Sequence, residues 1–127
     1  MFDGCTNLTS FSSDLSSLTE GANMFYGCSN LTSFNTDLSS LTEGNSMFGE
    51  CENLKSFSSN MSSLTEGANM FYGCSNLTSF SSDLSSLISA NYMFDGCRLD
   101  AQSVANIIHF IRQRDTKPTA DWGDGNI

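Results

Sequence analysis

Basic side chains are scarce in this sequence. Five Lys and Arg stand against fourteen Asp and Glu, for a net charge of −9. All of that excess lies in residues 1–97, where Lys55 is the single base; residues 98–127 are balanced. An acidic body without basic patches excludes nucleic-acid binding and docking on anionic lipid, both of which need Lys or Arg. Long apolar runs are missing too. No stretch approaches the ~18 residues of a membrane-spanning helix. No secretory leader is visible, because Met1 opens directly on repeated sequence. His109 is the one His, and no Gly-x-Ser-x-Gly occurs. A catalytic dyad would therefore have to assemble across near-identical copies; His109 reads as a helix residue, and the expectation is no enzyme and no cofactor. Cys pairs two to four residues apart, as zinc sites require, do not occur.

What is present is repetition. "MFYGCSNLTSF" stands at 24–34 and again at 70–80. A Met-Phe-x-x-Cys unit starts at Met1, Met24, Met47, Met70 and Met93, always 23 residues apart. Read in register, position 2 is Phe in all five copies and position 5 is Cys5, Cys28, Cys51, Cys74 and Cys97. Position 8 is Leu and position 11 is Phe in the four full copies; position 15 is Leu or Met61, and position 18 is Leu. Ser, Thr, Asn, Gly and acid fill the gaps. Seven apolar positions cannot offset the entropy of ordering 23 residues, so one copy cannot fold alone. Copies must share a core by stacking. The chain therefore divides into a repeat array over 1–97, a helix over 98–114 and a tail over 115–127.

The pattern "MFxGCxNLTSFxxDLSSLTEG" resembles the BspA-like leucine-rich repeats of microbial surface proteins, over residues 1–97. The resemblance implies a curved solenoid with one short parallel strand per coil. Where that family has a further apolar residue, at position 13, this chain has Ser13, Thr36, Ser59 and Ser82, so the strand should be thin. Aligned to the leucine-rich pattern, it covers about Ser10–Asp14, with positions 10, 12 and 14 facing outward. At 98–114 the period changes. Val104, Ile107, Ile108 and Ile111 fall on one helix face. Asp100 is the N-cap, Leu99 packs on Val104 as a staple, Arg112 and Arg114 suit the last turn, and Pro118 follows the stop. Such a helix would close one end of the stack. Nothing comparable precedes Met1, and "ADWGDGNI" ends without closure; both predict a fragment whose first coil can self-associate.

Several side chains are candidates for function. The Cys row could hold metal or a disulfide, but about 4.8 Å between stacked strands with parallel Cβ vectors suits neither. Free buried thiols acting as small hydrophobes fit better, and they point to folding in a reducing compartment. The resemblance, in contrast, implies a cell-surface, secreted or virion setting. Position 14 carries Asp14, Asp37, Asn60 and Asp83, and position 20 carries Glu20, Glu43 and Glu66. The carboxylates Asp14, Asp37 and Asp83 are Ca²⁺ candidates; a solvated acidic face is the plainer alternative. "DWGDGN" at 121–126 reads as a turn. Asn7, Asn30, Asn60 and Asn76 sit in N-x-S/T sequons. Exposed binding candidates are Tyr26 and Tyr72 at position 3, the serines Ser10, Ser33, Ser56 and Ser79 at position 10, and the position-14 row.

Through the resemblance, the expected function is a non-catalytic binding module that engages a protein or glycan on a host or partner surface. The alternative is a structural spacer or assembly segment of a larger surface or phage virion protein.

Overall fold

The computed structural model describes residues 1–112. Its elements are β1 (Ser10–Phe11), β2 (Ser33–Phe34), β3 (Ser56–Phe57), β4 (Ser79–Phe80) and α1 (Ala101–Arg112). No helix among the described residues is long and apolar enough to cross a membrane.

Each repeat begins with tight turns three residues apart. The Cys28 N–H donates to Phe25 O, and the Leu31 N–H donates to Cys28 O, both at 3.1 Å. Three residues per turn return side chains to one side, which is why Phe, Cys and Leu occupy positions 2, 5 and 8. Position 4 takes a left-handed conformation. Gly4, Gly27, Gly73 and Gly96 have φ of 71 to 83°, and repeat 3 places Glu50 there at φ 59°.

Successive repeats are tied together around their perimeter. Phe25 N–H donates to Met47 O (2.9 Å) and Gly27 N–H to Gly49 O (2.8 Å); in the opposite direction Thr42 N–H donates to Thr19 O (2.9 Å). Between these ties lies one core. The position-2 rings stack with centroids 5.3 to 5.5 Å apart and interplanar angles of 2 to 9°. The position-11 rings form a second stack at 5.8 Å. The two stacks meet edge to face, as at Phe34 and Phe48, 4.8 Å apart.

The strands are shorter than Ser10–Asp14. Only Ser10–Phe11 and its equivalents are strand. Two side chains explain the early stop. Position 13 turns inward although it is hydroxylated: Thr36, Ser59 and Ser82 are buried. Position 14 then folds back on its own backbone. Asp14, Asp37, Asn60 and Asp83 each accept the N–H two residues on, from Ser16, Ser39, Ser62 and Ser85, at 2.7 to 3.0 Å. This side-chain turn replaces continued pairing.

Thr36 Oγ1 donates to Phe11 O at 3.4 Å, but Ser59 Oγ and Ser82 Oγ are buried without a hydrogen-bond partner among the described residues. A buried hydroxyl left so costs about 1–3 kcal/mol. Ser82→Ala is therefore expected to raise stability by about 1 kcal/mol. The urea midpoint should rise at unchanged slope; a lower midpoint would contradict this account.

The strands pair in parallel as β1–β2 and β3–β4, with Ser10 opposite Ser33 and Ser56 opposite Ser79. β2 and β3 lie side by side without forming a ladder. The stack remains continuous on another side, where Glu20, Glu43, Glu66 and Ser89 form successive parallel bridges.

Helix α1 covers the last strand. Asp100 Oδ1 accepts the Ser103 N–H at 2.8 Å, the expected N-cap. The buried face matches the expected one only in part. Ile107 is fully buried, and Leu99, Phe110 and Ile111 pack on the core, while Val104 and Ile108 are only half-buried flank residues. Ser103 sits inside instead. Its hydroxyl accepts the Phe80 N–H at 2.8 Å and donates to Thr78 O at 3.3 Å. It thus takes the place a further strand would have beside β4, and that contact sets the helix rotation. The features expected over residues 113–127, including Arg114, Pro118 and the 121–126 turn, lie outside the described residues. At the other end, Phe2, Cys5, Leu8, Phe11, Leu15 and Leu18 are half-buried and Met1 is 91% exposed.

Candidate functional site

The outward rows appear where alternation places them. Ser10, Ser33, Ser56 and Ser79 are exposed on the strands, and position 12 beside them is exposed in all four repeats. Tyr26 and Tyr72 are also exposed, but they follow the position-2 Phe across the core from the strands. The tyrosines thus stand on turns and the serines on the strands. Tyr26 rests on its neighbour: a Cβ on Gly49 would lie 2.8 Å from its ring. Gly49 is small because Tyr26 lies over it. In the same way the Glu50 carboxylate lies over Gly73, where a Cβ would be 2.7 Å from Oε2.

The position-14 row has a structural task. Its oxygens accept the turn N–H groups described above, and Asp37 Oδ2 also accepts the Ser39 hydroxyl at 3.2 Å. The Ser16 hydroxyl and then its backbone N–H hold the Asp14 carboxyl below its ordinary range. Among the described residues, no three His, Cys, Asp or Glu side chains converge as a metal site requires.

The Cys row is more than filler. Cys28, Cys51, Cys74 and Cys97 each direct Sγ at a Phe carbonyl 26 residues earlier, at 3.0 to 3.2 Å. A protonated thiol can donate there, so each repeat adds one weak S–H···O contact to the repeat before it. Burial raises all four thiols: Cys51 and Cys97 are pushed up to about 12, and Cys74 stands well above the ordinary value. Cys5 alone of the five is half-buried. Since the thiolate is the reactive form, native protein at neutral pH should react with iodoacetamide at Cys5 only, and at all five after denaturation. Peptide mapping that finds Cys51 or Cys74 alkylated in the folded chain would contradict this.

A concavity lies just past the ends of β2 and β3, which do not pair. It has a volume of about 300 Å³ and is lined by Asn35, Thr36, Asp37, Ser58, Ser59 and Asn60. Asp37 and Asn60 were legible as candidates from their outward position. Asn35, Thr36 and Ser59 were not, although a signal exists: positions 12, 13 and 14 read Ser-Ser-Asp in repeats 1 and 4, Asn-Thr-Asp in repeat 2 and Ser-Ser-Asn in repeat 3. His109 is exposed on α1 beside Phe110, ring centroids 5.4 Å apart.

The family model described as "BspA type Leucine rich repeat region" matches residues 1–114 in six copies. No curated protein and no solved structure matches the chain.

Proposed function

The chain belongs to the BspA-type leucine-rich repeat family, and from that premise we propose that it is a solenoid binding module that engages proteins on a host or partner surface. The family suggests a repeat interaction module and is generally non-catalytic. One observation supports the strand side as the contact surface. Positions 10 and 12 project from every repeat, carried by a backbone that two phenylalanine stacks hold rigid. Many small contacts at fixed spacing suit multivalent attachment to an extended partner.

The test is surface binding of the purified chain to a panel of host-matrix proteins and to whole cells. Saturable binding that Ser33→Arg and Ser56→Arg abolish is expected, because both side chains point to solvent and neither change touches the core. No binding at high micromolar concentration would overturn the reading. A spacer or assembly segment would instead show mass rising with concentration in light scattering.

A further inference from the structure

We propose that the notch between repeats 2 and 3 binds a single neutral sugar unit through its hydroxyl groups. Three independent features coincide there. First, the strand ladder is interrupted immediately before it: β1–β2 and β3–β4 pair, and β2–β3 does not. Second, in an array of near-copies, Asn35, Thr36 and Asn60 depart from the Ser-Ser-Asp of repeats 1 and 4, and all three line the notch. Third, Ser59 lines the same notch at 8% exposure with a hydroxyl that has no partner among the described residues.

The lining chemistry selects the ligand class. Pockets for apolar molecules are walled mainly by hydrophobic and aromatic side chains; none of the six lining residues is either. Asn35 and Asn60 each offer an amide donor and acceptor, Ser58 a hydroxyl, and Asp37 an acceptor-only carboxylate. Alternating donors and acceptors suit vicinal hydroxyls, each of which gives one hydrogen bond and takes others. Size agrees, since about 300 Å³ is at the lower end of ligand sites. Charge narrows the class further. Asn60 removes the second carboxylate that Asp14, Asp37 and Asp83 would lead one to expect. The notch thus faces a neutral ligand with one negative charge, within a chain whose net charge is −9; acidic sugars are disfavoured. With no aromatic platform, affinity is weak, on the order of 1 mM.

Saccharide binding at the notch does not depend on the protein-interaction reading. A sugar bound without any protein partner would leave it standing and sink the other. The experiment is an amide NMR titration of the whole chain with methyl glucoside, methyl galactoside and methyl mannoside, with glucuronate and glycerol as controls. At least one neutral glycoside should shift residues 35–37 and 58–60 and the Asn35 and Asn60 side-chain amides saturably. The triple variant Asn35→Ser, Thr36→Ser, Asn60→Asp restores the residues that repeats 1 and 4 already carry, so it is expected to fold, which circular dichroism checks. It should weaken the shifts at least about tenfold. The proposal is overturned by any of four results: no saturable shift with ligand on the order of 100 mM, shifts unchanged in the folded variant, glucuronate binding more tightly than the neutral sugars, or glycerol binding equally well.

Discussion

Phe48→Ala is expected to cost about 5 kcal/mol, the upper end for removal of a buried aromatic ring. Phe48 is fully buried at the centre of the stack. Its ring lies parallel to Phe25 and Phe71, both 5.5 Å away, and edge-on to Phe34 and Phe57 at 4.8 and 5.1 Å. Each aromatic pair adds about 0.5–1.5 kcal/mol beyond the area it buries, and one substitution removes four. The loss rivals the whole stability of a typical domain, about 5–15 kcal/mol. Position in the stack matters as much as size. Repeats contact only their neighbours, so a weak central repeat uncouples the two ends. Urea unfolding should therefore shift to lower midpoint and lose slope, or split in two. Phe2→Ala, at the half-buried edge, should cost about half as much or less and leave one transition. Equal costs at the two positions would refute the stacked-core account.

Alkaline unfolding should begin near pH 9. The buried thiols have folded pKa values above the ordinary 9.0, with Cys51 and Cys97 at about 12. Below pH 9 these thiols are protonated in both states and their stabilisation is fully present. Above it the unfolded chain ionises first, so stability falls until the folded values are passed. By about pH 10.5, Cys51 and Cys97 together withdraw about 4 kcal/mol, at about 1.36 kcal/mol per unit each. Cys28 and Cys74 act in the same direction. Thiolate absorbance should rise together with loss of structure, and Cys51→Ala with Cys97→Ala should flatten the alkaline limb even while lowering stability at pH 7. Thiolate appearing at pH 9–10 in a fully folded chain would rule the mechanism out. Toward acid, Ser103, whose N–H donates to Oδ1, holds the Asp100 carboxyl below its ordinary value. Its stabilising effect is present above the ordinary carboxylate range and is lost as pH falls through the lowered folded value.

Legibility from sequence followed the regularity of each feature. Phe, Cys and Leu recur at fixed positions because stacked turns must present matching side chains, so the core could be read column by column. The helix and its Asp100 cap were readable for a local reason: capping involves residues within one turn. Apolar spacing alone read the helix's contact face in part: Ile107 and Ile111 pack on the core as expected, while Val104 and Ile108 flank it. Ser103 is polar, and only the bare Phe80 N–H at the edge of β4 gives it a buried partner. The Cys thiols were read as packing groups, because a donor to a carbonyl 26 residues away leaves no mark in local sequence.

Sequence by itself determined the 23-residue period, the family, the identity of the core and the acidic, base-poor surface, since each depends only on which residue types recur and how often. Tertiary structure decided what lies between copies. Near-identical repeats gave no reason to expect a broken ladder between β2 and β3, yet just past that break Asn35, Thr36 and Asn60 line one notch. The physical cause is that hydrogen bonds between repeats, such as Leu38 N–H to Asn60 O at 3.1 Å, join residues more than twenty positions apart. Their geometry is set by the packing of whole repeats and not by any one of them.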